Sequence, residues 1–384
     1  MHKTPGEMST LSKIVSTRLR GALAAGVLLA AGCSSGGGST TGPVSDTAAT
    51  PKFTTSAVLN GAVVVTLASA TSGATIYYTV DGSTPTTSSQ TYLAPFLVAS
   101  NLTVNAIATA PAVSNSSVAS QSFTPNIASG TLVWSDEFSN STNANAQPNP
   151  AVWTYDTGTG FGNDELEDYC SWNSSDSPCS AANPSVYVGT DGYLHIVAQQ
   201  PSAGVYTSAR PKTEGLFSFQ YGRIEFRAQV PEAQGLWPAA WLLGNTFATV
   251  GWPACGEMDV MERIDSAESP DWNQGSIHGP GFSGGEGATY NFPAGETAAS
   301  WHTYGMIWSK GSVAYYVDDP TQPYVTFTPS SISGVAGASW PFDGGQASFI
   351  ILDLAVGGSW PGSPNSSTPF PAQMLVDYVR IYTD

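Results

Sequence analysis

After the first thirty or so residues the chain has no long apolar stretch with the helical period of 3.6; apolar and polar positions alternate over short runs instead. Ala62-Val-Val-Val-Thr-Leu67, Thr75-Ile-Tyr-Tyr-Thr-Val80 and Thr103-Val-Asn-Ala-Ile-Ala108 are rich in β-branched and aromatic residues, and Asp81-Gly82 is a turn signal between them. Strands are therefore predicted at these positions. With 40 Gly and 27 Pro to punctuate such runs, the whole chain is expected to be all-β.

One run carries acids as well as apolar residues. Gly256-Glu-Met-Asp-Val-Met-Glu262 favours a strand through its Val and Met residues, and Pro253 suits the strand entrance. Strand side chains alternate faces, so Glu257 and Asp259 share one. Glu262 would point the other way in regular pairing, and a β-bulge near Val260-Met261 is predicted to turn it back beside them.

Two carboxyl groups roughly 5 to 5.5 Å apart are what a retaining glycosidase needs, one as nucleophile and one as acid/base. Asp259 between them has a third role, raising its neighbours' proton affinity by its charge. Three acids so close also suit a solvated face or a cation loop. Charged residues are only 11% of the chain, however, and Trp237, Trp241 and Trp252 lie just upstream, where flat rings suit the faces of sugars.

Gly235-Leu-Trp-Pro-Ala-Ala-Trp-Leu-Leu-Gly244, the acidic run, His278-Gly-Pro-Gly281 and Leu375-Val-Asp-Tyr-Val-Arg-Ile-Tyr382 together resemble glycoside hydrolase family 16. Trp134-Ser-Asp-Glu-Phe138 and Phe219-Gln-Tyr-Gly-Arg-Ile-Glu225 extend the resemblance over about residues 130 to 384. The extra residue before the last Glu resembles the endo-1,3-β-glucanases, or laminarinases, of that family, whereas lichenases lack it. The resemblance implies a β-jelly-roll sandwich with a cleft across its concave sheet. It implies Glu257 as nucleophile, Asp259 as assisting acid and Glu262 as general acid/base. Trp237, Trp241, His278, Asn163 and Arg210 match substrate-contacting positions, with Trp241 equally suited to a core and His278 read as part of a Gly-rich turn. Glu137, Gly192 and Asp377 match a structural calcium site on the convex side; no cofactor is required for catalysis.

Charge narrows the substrate. A net charge of −17, with only 12 Lys and Arg, disfavours nucleic acid, anionic lipid and strongly anionic polysaccharides, and leaves a neutral β-glucan as the expected partner of a monomer. Several readings stay open: endo-hydrolysis of β-1,3-glucan, transglycosylation through the same intermediate, cleavage of mixed-linkage glucan, agarose or carrageenan, and non-catalytic glucan recognition, which the intact acids oppose.

Residues 1–33 read as a targeting segment. Lys13, Arg18 and Arg20 precede an apolar run from Gly21 to Gly32, too short to span a membrane comfortably, and Cys33 follows a sequence resembling a lipoprotein processing site. Export is expected, with lipidation at Cys33 and an outer-membrane or cell-surface location, or else secretion into the medium. Cys170 and Cys179 enclose a Ser- and Asn-rich loop and are the economical disulfide; Cys255 is left as a small buried hydrophobe. Residues 34–50 read as a flexible Ser/Gly/Thr linker. Residues 51–125 read as a small immunoglobulin-like β-sandwich whose Ile76–Pro85 run resembles the module appended to chitobiases; it is taken as a spacer, with sugar binding through the rings of Tyr77, Tyr78 and Tyr92 as the alternative. Residues 126–384 are the catalytic domain.

Overall fold

The computed structural model describes residues 47–139, 142–265, 271–344 and 346–384. Cys33, the targeting segment and most of the linker lie outside the described residues. The rest is strand and loop, apart from two four-residue helical turns, Phe247–Val250 and Pro329–Ile332.

The small sandwich comprises a three-stranded sheet (Lys52–Ala57, Val63–Ala68, Phe96–Val98) and a four-stranded one (Gln90–Thr91, Thr75–Thr79, Leu102–Thr109, Ala119–Phe123). Val65, Leu67, Ile76, Tyr78, Phe96 and Val104 fill the space between them. The last linker residues belong here too: Ala48 is buried in this core, and its N–H donates to Ser114 O at 2.9 Å. Asp81-Gly82 does not close a tight hairpin, because Thr75–Thr79 pairs with Gln90–Thr91 and with Leu102–Thr109.

The small sandwich is not a free spacer. Leu97 N–H donates to Ser218 O at 2.9 Å, Ser218 Oγ donates to Pro95 O at 3.0 Å, and Leu59 N–H donates to Val133 O at 3.2 Å. Ala62 is fully buried in the large domain's core, with Val58, Val64, Leu97 and Ala99 packed against it. The three-stranded sheet thus has apolar partners on both faces.

The large domain stacks a ten-stranded sheet on a seven-stranded one. The seven strands, in chain order, are β1 (Thr154–Asp156), β2 (Arg210–Lys212), β3 (Leu236–Gly244), β4 (Glu257–Glu262), β5 (Trp272–Gly279), β6 (Phe282–Asn291) and β7 (Ser348–Val356), and they lie side by side as β6-β5-β4-β3-β7-β2-β1. Alternation sorts their side chains. Leu236, Ala240 and Leu242 of β3 and Ile350, Leu352, Leu354 and Val356 of β7 enter the core between the sheets. The residues between them, including Trp237 and Trp241 of β3 and Asp353 of β7, therefore occupy the opposite face, which carries the acids.

Candidate active site

Strand β4 has the extra residue that the spacing of its acids demands. Against β3, Ala240 pairs with Met261 but Trp241 with Asp259; against β5, Asp259 pairs with Ser276 but Glu262 with Gln274. Val260 and Met261 both drop into the core beside Met258, and Glu262 returns to the face of Glu257 and Asp259. Gly256, at φ +79°, leads into the strand in a conformation that favours glycine, and a Cβ there would lie a tight 3.0 Å from Pro341 Cγ.

The three acids have different partners. Trp237 Nε1–H donates to Glu262 Oε1 at 3.0 Å. His278 Nε2 lies 3.0 Å from Asp259 Oδ2 and 3.7 Å from Glu257 Oε1. His278 does not sit in a turn: it belongs to β5, directly opposite Glu257 in the ladder. Its Nδ1 bonds Ser283 O at 3.1 Å, and a Cβ on Gly285 would intrude to 2.5 Å from the ring. Burial works against the imidazolium, but Asp259, Glu257 and the Ser283 carbonyl outweigh it and push the His278 pKa up to about 10.

Burial first, and the Asp259 charge second, raise the Glu257 carboxyl above the usual carboxylate range, while His278 and Arg210 pull it back. Glu262 is raised more strongly by burial and by both neighbouring acids, against His278 and the Trp237 indole. Both carboxyls are thus raised, and each has its own partner, His278 near Glu257 and the Trp237 indole on Glu262. Two carboxyl groups on one sheet face suit nucleophilic attack by one and proton donation by the other.

Trp241, on β3, sits directly opposite Asp259 in the ladder, and Arg210 lies further away on β2, beyond β7. The Arg210 guanidinium carbon is 4.8 Å from the Trp241 ring centre, 5.3 Å from Phe161 and 5.9 Å from Tyr169, and its Nε is 3.1 Å from Asp156 Oδ2. The Trp241 indole N–H donates to Asp353 Oδ1 at 2.7 Å, and the ring packs beside Leu243, Cys255, Phe349 and Ile351. Trp241 is thus half core residue and half support for Arg210. Asn163, at φ +53°, uses its carbonyl to accept the Ser359 N–H at 2.6 Å, bracing the loop that carries Trp360.

Trp360 and Trp272 escaped the sequence reading. Their rings lie 6.0 Å apart, and Trp360 stands 5.1 Å from Trp237, so an aromatic wall continues past Glu262. Asp353 escaped as well, although a lone acid within Ser348-Phe-Ile-Ile-Leu-Asp-Leu-Ala-Val356 carries the same signal as the acids of β4.

Cys170 and Cys179 form a disulfide, and Cys255 is free and buried; burial, then the Glu257 charge, pushes its thiol up to about 12, so it is no nucleophile. The carboxylates expected at a calcium site already face cations: Glu137 takes both Nε and Nη2 of Arg380, at 2.9 and 2.8 Å, and Asp377 pairs with Arg227 at 2.5 Å. Gly192, at φ +84°, sits in a turn. Among the described residues, the three side chains close enough to chelate an ion together are Glu257, Asp259 and His278, whose imidazole is held protonated and is no ligand in that state.

Sequence comparison agrees with this geometry. The family model for glycosyl hydrolases family 16 matches residues 173–380, and that for the chitobiase/beta-hexosaminidase C-terminal domain matches residues 54–121. The chain belongs to glycosyl hydrolase family 16. A beta-glucanase of Rhodothermus marinus is 36% identical to this family-16 enzyme over 263 residues, covering 65% of this chain and 84% of the relative. A glucan endo-1,3-beta-glucosidase A1 of Niallia circulans is 33% identical over 291 residues, covering 68% of this chain and 39% of the relative. The laminarinase catalytic domain of Thermotoga maritima MSB8 superposes with a TM-score of 0.57 at 36% identity, over 67% of this chain and 99% of that one.

Proposed function

We propose that this family-16 enzyme cleaves β-1,3-glucan internally with retention of anomeric configuration. The observation that carries the mechanism is the bulge in β4, which returns Glu262 to the cleft face beside Glu257. Glu257 attacks the anomeric carbon while Glu262 protonates the departing glycosidic oxygen; Glu262 then takes a proton from water as that water displaces Glu257 from the glycosyl-enzyme. The Trp237 indole fixes one oxygen of Glu262, leaving the other for the glycosidic oxygen. The β-1,3 linkage rests on the similarity to laminarinases and endo-1,3-glucanases, and the scarcity of cations suits a neutral glucan.

Proton NMR of early laminarin products tests this reading, with the β anomer expected first. Azide added to Glu257→Ala should yield an α-glycosyl azide. Initial α product, or α-azide from Glu262→Ala alone, would overturn the roles.

The apolar run before Cys33 supports export with lipidation of that residue, and Cys33→Ser should release the protein from the membrane fraction. We further propose a monomer whose catalysis needs no calcium, because Arg380 and Arg227 already balance Glu137 and Asp377. Dialysis against a chelator should leave turnover unchanged.

A further inference from the structure

Asp353 lies on β7, two strands from the catalytic acids, with only 6% of its surface exposed. Leu354 and Leu352 on either side face the core, so alternation places Asp353 on the cleft face. Its two oxygens are engaged separately. Oδ1 accepts the Trp241 indole N–H at 2.7 Å, and Oδ2 lies 3.5 Å from the Tyr169 hydroxyl, whose single proton has its nearer acceptor in Glu165 Oε2 at 3.0 Å. Trp241 and Tyr169 are two of the three rings that surround the Arg210 guanidinium.

We propose that Asp353 is a positioning residue for the reaction: it fixes Trp241, the nearest of the rings around Arg210, and partly neutralises that cation, and so sets how strongly Arg210 acts on Glu257. Without Asp353 the Trp241 N–H has no partner at its buried edge, and a buried donor left unsatisfied is costly enough to tilt the ring. The charge matters separately. Arg210 is one of two cations that favour ionised Glu257, the other being His278. A carboxylate beside Arg210 weakens that pull; an amide in its place does not.

The ionisable groups that act on Asp353 come from three segments: Asp156 on β1, Glu165 and Tyr169 before the disulfide, and Arg210 on β2. Burial pushes the Asp353 carboxyl up to about 7, with Arg210 and the Trp241 indole restraining it.

The inference rests on Glu257 being the group that must ionise, which azide rescue of Glu257→Ala tests independently. In the full chain, Asp353→Asn keeps an acceptor for the indole and removes the charge. The acid limb of kcat/KM on laminarin should move to lower pH by about half a unit, with plateau kcat within about twofold of the parent. Asp353→Leu removes both functions, and should add a rise in KM of about fivefold through displaced Trp241 and Arg210. An acid limb that stays in place or moves to higher pH in Asp353→Asn overturns the proposal, and an altered Tm alone would make Asp353 a structural residue. Should Asp353→Leu not fold, the near-isosteric Asn variant still decides the charge effect.

Discussion

At the residue scale the site is held in an electrostatically costly arrangement. Three carboxyl groups crowd one stretch of strand, and the cations that compensate them are His278 and the more distant Arg210. Activity should therefore follow a bell-shaped pH profile whose acid limb lies above the ordinary carboxylate range, because Glu257 must lose its proton, and whose basic limb reports Glu262. Stability should run the other way. A carboxyl whose folded pKa is raised contributes stability below its unfolded value of about 4.3, and that contribution is lost as pH rises through the folded value. Glu262→Gln should thus melt higher than the parent near neutral pH, by roughly 2–5 °C, with the difference shrinking toward pH 4. Calorimetry across that range checks the sign, while turnover in the variant should be almost gone. Asp259→Asn, by contrast, should leave measurable turnover, since Asp259 acts through its neighbours.

At the element scale, the bulge lets the six residues of β4 face five positions of β3, with Val260 as the extra one. Deleting Val260 would bring the last Glu to an even spacing from Glu257 and Asp259, and a regular strand would then keep all three on the cleft face. The variant is expected to fold, to lose some core packing, and to retain turnover on laminarin well above that of Glu262→Ala. Turnover as low as that of Glu262→Ala would mean that the bulge sets distances as well as the face.

The bulge was legible because acids spaced by two and then three residues cannot share a regular strand face. His278 was legible as a residue but not as a position: glycines around it suggested a turn, whereas Gly285 on the adjoining strand is there to clear its ring. Trp360 and Asp353 come from loops and strands a hundred residues away from the acids. Only folding brings them near; Asp353 had a local signal as a lone acid in an apolar run, whereas Trp360 had none.

At the scale of the whole molecule, the alternation of the first 125 residues foretold a small sandwich but not its attachment. Composition does not say which strand edge is left for another domain, and here Phe96–Val98 spends one side on Ser218. Cutting the chain to residues 126–384 would expose the apolar surface now covered by Val58, Val64 and Leu97. That fragment should still turn over soluble laminarin at room temperature, since the acids lie within it, but its Tm should fall by at least about 5 °C. Scanning calorimetry of the two forms checks this, and an unchanged Tm would restore the reading of residues 51–125 as a spacer.

The attachment also has a mechanical side. Ser218 bonds to Pro95 and Leu97, and its neighbour Phe219 bridges to Ser348 at the start of β7, the strand that bears Asp353. These bonds join the small sandwich to the strand two away from the catalytic acids, so a pull on that strand by a tethered polymer would be shared with the small sandwich.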